Sequence, residues 1–104
     1  MGFYAHFNKI KYIKQKTFPD CRNPKTNTRL KYDFYLQEQN ILIEFNGEQH
    51  YQYISYLHEN MKKFKLQKYR DHIKKSYAIK NNYQFLVIKY NDNIEEKLKK
   101  EINL

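Results

Sequence analysis

The sequence predicts a mixed α/β domain in the order α-β-β-β-α-β-α. Two observations carry most of this. Residues 30–36, 41–45 and 85–90 form short strand-like runs, and Leu66, Tyr69, Ile73 and Tyr77, then Ile94, Leu98 and Ile102, repeat at helical spacing. A third is punctuation: the cluster 23–27 (Asn-Pro-Lys-Thr-Asn) and Glu38-Gln39-Asn40 separate the runs. The 104 residues fit one domain, 1–104. Ile, Leu, Val and Phe number 26, enough for a small core despite a mean hydropathy of −1.03.

Taken in order, Phe3, Phe7, Ile10 and Ile13 recur at i, i+4, i+7 and i+10, which predicts a first amphipathic helix over roughly 3–15. Residues 17–23 could add an early strand. In 30–36, Leu30, Tyr32, Phe34 and Leu36 fall on one face and Asp33 and Tyr35 on the other. Residues 41–45 are apolar on both faces except at Glu44, as expected of a central strand. The short turn Glu38-Gln39-Asn40 makes these two an antiparallel hairpin. Gly47 ends the strand, and 51–60 are Tyr-rich without a clear period. A helix runs from Met61 to about Asn81, a strand covers 85–90, and Asn93 with Glu96 is a capping-box pattern opening the last helix.

Several classes are excluded. No apolar run approaches the ~18 residues of a membrane helix. No secretory leader pattern is present. The single cysteine, Cys21, rules out an internal disulfide and a Cys-rich zinc site. A soluble, intracellular, cytoplasmic chain is expected.

The net charge of +9 is unevenly placed. Residues 1–32 carry eight Lys or Arg against one acid, and residues 61–80 repeat that ratio. Between them, 33–60 hold five acids and no Lys or Arg. A basic total favours a polyanion such as nucleic acid. An acidic island serves no purpose in merely coating DNA, since carboxylates repel phosphate. A metal-dependent nuclease needs both: acids to hold Mg²⁺ and surrounding cations to hold the backbone.

Asp33 lies mid-strand, where Asp is disfavoured, and Glu44 ends an Ile-Leu-Ile run, where an unpaired carboxylate is costly. If the loop is four residues, Gln37 to Asn40, counting from the turn sets them opposite one another, where like charges repel unless a cation stands between them. The plainer reading pairs one acid with a lysine and exposes the other. His50 follows Gly47 just past the strand end, within reach of such a site as a general acid or base. Asp71 is the only acid among the charged residues of 62–80 and could simply form a helical i, i+3 pair with Lys74. Lys62, Lys63, Lys65, Lys68, Arg70 and Lys75 form a candidate phosphate-facing side, or a solvated basic face.

These blocks resemble the Vsr-like, EDxHD branch of the PD-(D/E)XK nuclease superfamily, which includes phage homing-type endonucleases and domains of large DNA viruses. The resemblance rests on 30–36 (LKYDFYL), 40–51 (NILIEFNGEQHY), Asp71-x-x-Lys74-x-x-Tyr77 and 85–90 (FLVIKY), and covers about 17–92. It implies an αβββαβ core with a mixed central sheet flanked by helices. It makes Asp33 the metal-binding aspartate, Glu44 the acid of the (D/E)xK strand, His50 the catalytic histidine and Asp71 a second, helix-borne acid. The superfamily lysine position holds Asn46, and residues 1–19 contain no acid where the branch has a first-helix glutamate; Gln15 or Lys14 stands nearest.

The expected function is therefore a Mg²⁺- or Mn²⁺-dependent DNA endonuclease or nickase. Asp33 and Glu44 would serve the metal, Asp33, Glu44, His50 and Asp71 the catalysis, and Arg70, Lys74 and Lys75 the DNA. No small-molecule cofactor and no membrane are expected, and homodimerisation is left open. A viral member would act in the host cytoplasm or nucleus. The rival is a catalytically inactive nucleic-acid-binding module; a third reading is a nuclease acting on RNA or on branched or nicked DNA.

Overall fold

The computed structural model describes residues 10–46 and 61–102. Three strands come first: β1 (Tyr12–Arg22), β2 (Arg29–Leu36) and β3 (Ile41–Asn46). A helix, α1 (Met61–Lys80), precedes β4 (Gln84–Lys89), and α2 (Ile94–Ile102) follows it. The strands form one sheet in the order β1-β2-β3-β4. β1/β2 and β2/β3 pair antiparallel, while β3 and β4 pair parallel, so the sheet is mixed. A parallel pair cannot be joined by a tight turn, so the chain between β3 and β4 crosses over with α1.

The helix predicted over 3–15 is corrected in its second half. Residues 12–15 belong to β1, where Tyr12, Ile13 and Lys14 face Leu36, Tyr35 and Phe34. Partners from β2 outweigh a helical stripe that four residues alone define. The early strand expected at 17–23 is part of this longer one. Residues 1–9 lie outside the described residues. β1 is an edge strand, which accommodates Pro19, and its register against β2 shifts between Thr17 and Arg22.

Each face of the sheet has its own core. Ile41 and Ile43 join Phe34, Leu36, Leu86, Ile88 and Leu98 of α2 in one cluster. Leu42, between them, joins Phe18, Cys21, Leu30, Tyr32 and Ala78 of α1 in the other. Neighbouring strand residues point to opposite faces, so α1 and α2 cover opposite sides. The α1 side is aromatic. Phe18 packs within 5.2 Å of both Tyr77 and Tyr83, and 5.9 Å from Tyr32. Four of the eleven tyrosines, Tyr32, Tyr35, Tyr77 and Tyr83, belong to this side.

The single-face pattern expected for β2 is also corrected. Phe34 and Leu36 face α2, but Leu30 and Tyr32 pack on the α1 side. The alternation breaks at Asp33. Gln15, which faces Asp33 in the β1–β2 count, has φ of 53°, while the register on either side of it is continuous.

Both helix ends around the site side are fixed. Asn82 holds φ of 63° past the end of α1, with Tyr83 N–H bonded to Ala78 O and Asn82 N–H to Ile79 O. The Asn40 side chain donates to Asn82 O, and Gln84 N–H donates to Asn40 O, tying the β2–β3 turn to the start of β4. Asn93 Oδ1 accepts the Glu96 N–H at 3.0 Å, the N-cap expected for α2.

Candidate functional site

The β2–β3 register pairs Leu36 with Ile41 and Phe34 with Ile43, so one further step sets Asp33 opposite Glu44. There the side chains extend the ladder. Asp33 N–H donates to Glu44 Oε1 at 3.2 Å, and Phe45 N–H donates to Asp33 Oδ2 at 2.7 Å. Each carboxylate is held by a backbone amide of the neighbouring strand. Both line the cleft walled by Gln67, Arg70, Asp71 and Lys74 of α1, and α1 supplies the cation. Lys74 Nζ stands 2.7 Å from Glu44 Oε2, with the two side chains only 13% and 9% exposed.

Tyr32 locks the lysine in place. Its hydroxyl donates to Lys74 O at 2.6 Å, and its ring lies 5.6 Å from Lys74 Nζ. Burial pushes the Tyr32 hydroxyl above its usual range, so it stays a neutral donor. Burial also pushes the Glu44 carboxyl up to about 7. The Lys74 ammonium opposes that rise and the Asp33 charge adds to it.

Two open clefts meet at the Glu44–Lys74 pair. One, about 430 Å³, includes Arg29, Lys31, Asp33, Gln67, Arg70 and Asp71 in its wall. The other, about 340 Å³, includes Asn46, Lys68, Asp71, His72, Lys75 and Lys89. Glu44, Asp71 and Lys74 border both. Asp33, Glu44 and Asp71 are thus brought to one region, with Arg70 and Lys75 on either side of it. His50 lies outside the described residues.

Two parts of this arrangement were not legible in advance. Lys74, expected on the phosphate-gripping side, belongs to the carboxylate site. Its signal is present: Lys74 precedes the fully buried Ala78 by four residues, so both share a helix face. Arg29 and Lys31 reach the cleft from the start of β2, which no residue spacing within α1 could indicate.

The donor set suits a hard cation. Mg²⁺ is commonly held by one or two carboxylates with the remaining positions left to water and phosphate. Asp33 and Glu44 supply two carboxylates, of whose oxygens Glu44 Oε1 and Oε2 and Asp33 Oδ2 are already engaged within the chain. Among the described residues no group of three or more His, Cys, Asp or Glu side chains is placed to hold a metal ion.

No described helix is long and apolar enough to cross a membrane. No family model matches the chain. No solved structure matches it significantly. The chain is 37% identical over 73 residues to the uncharacterized protein 307L of Invertebrate iridescent virus 6, covering 64% of this chain and 37% of the relative. It is 33% identical over 60 residues to the uncharacterized protein 033L of Invertebrate iridescent virus 3, covering 58% and 31%. The chain therefore spans about a third of the length of these viral relatives, to which parts of it are similar.

Proposed function

We propose that the chain is a metal-dependent DNA endonuclease or nickase with the PD-(D/E)XK core. One observation supports this most: Asp33 and Glu44, held together across two strands, open onto clefts bordered by Arg29, Lys31, Arg70 and Lys75. Carboxylates inside a basic frame suit a phosphodiester better than a small metabolite. A divalent cation, Mg²⁺ or Mn²⁺, when bound, supplies charge stabilisation to the phosphate and acidifies a water.

The chain's own residues do the rest. Asp33 and Glu44 are the residues that would hold the cation. Lys74 fixes the Glu44 carboxylate and supplies positive charge near where the superfamily lysine would stand, a position Asn46 occupies here. Arg29, Lys31, Arg70 and Lys75 grip the phosphates to either side. Asp71, bordering both clefts, orients water, and His50 moves the proton.

The rival, a binding module without catalysis, is supported by the lack of any acid in residues 1–19 and by the site itself. Both Glu44 oxygens already have partners, Lys74 and the Asp33 amide. Supercoiled plasmid incubated with Mg²⁺ or Mn²⁺ separates the two. The wild type should give nicked or linear DNA, and Asp33→Ala or added EDTA should stop it. Binding of the plasmid with no cleavage in either metal would leave the binding module.

A further inference from the structure

A third and larger cleft, about 660 Å³, lies beside the proposed site, lined by Lys25, Met61, Lys62, Lys65, Leu66 and Tyr69. Its chemistry differs from that of the other two. Met61, Leu66 and Tyr69 give it an apolar surface, and three lysines fence it. Lys25 Nζ stands 4.6 Å from the Tyr69 ring centroid.

The lysine arrives there on a firmly built turn. Asn23, only 6% exposed, accepts the Lys25 N–H on Oδ1 at 2.9 Å and the Asn27 N–H on its carbonyl at 2.7 Å. Arg22 bonds Pro19 O and Asn27 O across the same turn. This turn and α1 wall two of the clefts together. The turn region gives Lys25 to this one and Thr28 and Arg29 to the carboxylate cleft, while α1 gives Tyr69 to the first and Arg70 and Lys74 to the second. Tyr69 and Lys74 are separated by about 7.5 Å along the helix axis.

Duplex DNA presents phosphates to a protein surface and keeps its base faces stacked inside. An apolar floor with an aromatic ring, fenced by cations, suits an unpaired nucleotide: the ring meets the base and the lysines meet the phosphates. We propose that this cleft binds a single-stranded DNA segment next to the carboxylate site, so that the favoured substrate has an unpaired flank. The proposal rests on the nuclease reading for the role of its neighbour, though not for binding itself. An incoming base takes the place of the Lys25 ammonium over Tyr69, and the ammonium moves to the adjoining phosphate. Base–aromatic stacking is stronger than an exposed cation–π contact, so the exchange is favourable.

The test is fluorescence anisotropy in EDTA, which prevents cleavage, with a labelled oligothymidylate and a duplex of the same length. The single strand should bind roughly tenfold more tightly than the duplex, and Tyr69→Leu, which keeps an apolar side chain, should lose roughly that factor for the single strand alone. Tyr69→Phe should bind as the wild type does. Lys25→Ala should weaken single-strand binding and lower its salt dependence by about one ion. Equal affinity for both DNAs, or a Tyr69→Leu protein that binds the single strand normally, would overturn the proposal. The plasmid assay keeps the two readings apart. Single-strand preference without cleavage would remove the nuclease and leave this site, and cleavage without that preference would do the reverse.

Discussion

Glu44 and Lys74 stand 2.7 Å apart with little of either side chain exposed, and each depends on the other. Removing one partner of such a pair leaves an uncompensated buried charge, which typically costs about 3–5 kcal/mol. The Glu44 carboxyl, raised to about 7 from an ordinary 4.5, makes that cost pH-dependent. Between those values the folded chain holds a proton that the unfolded chain has released. The Glu44 contribution to stability is therefore fully present below about 4.5 and is lost as pH rises through about 7, a change of about 3 kcal/mol. Urea unfolding in EDTA across this range should show that decline in the wild type and a flatter profile in Glu44→Gln. Lys74→Met should destabilise strongly at pH 8 and much less at pH 5, where Glu44 is protonated. A Lys74→Met protein equally destabilised at both would show that the lysine acts through packing instead.

At the scale of elements, Asn82 carries the turn between α1 and β4, with φ of 63°. Asn82→Gly should leave the melting temperature near the wild-type value, whereas Asn82→Ala should cost about 1 kcal/mol or somewhat more, because a Cβ is penalised in that conformation and Asn tolerates it. A calorimetric scan distinguishes them. Elements whose period and caps agreed were readable directly: α1, β4, and α2 with its Asn93 cap fall within a residue or so of expectation. The β2–β3 register was readable too, because a four-residue loop and two apolar runs admit one pairing that buries Ile41 and Ile43. β1 was not. Its residues 12–15 continue a helical apolar stripe, and only the β2 partners make them a strand. The break in alternation at Asp33 was equally hidden, since Leu30, Tyr32, Phe34 and Leu36 read as one unbroken face. The site was legible in part for the same reason: Asp33 and Glu44 followed from local register, while Lys74 and Arg29 arrive through tertiary packing.

Across the whole molecule, the acids of β2 and β3 are set against cations from the β1–β2 turn region and from α1. Binding of duplex DNA should thus be strongly salt-dependent. Arg29→Ala together with Arg70→Ala should reduce the slope of log affinity against log salt by about two units, as expected for two lost phosphate contacts. An unchanged slope would place the DNA on another face. On the proposed reading these cations bring a phosphodiester to the site, and cutting it would require a divalent cation to enter between Asp33 and Glu44 while Lys74 is present. Titration of Mn²⁺ followed by electron paramagnetic resonance measures that entry without DNA or turnover. Wild-type protein should bind Mn²⁺ saturably, Mg²⁺ should displace it, and Asp33→Asn should abolish the binding while leaving the fold intact by circular dichroism. Absence of saturable binding in the wild type, or equal binding by Asp33→Asn, would contradict a metal site at these carboxylates.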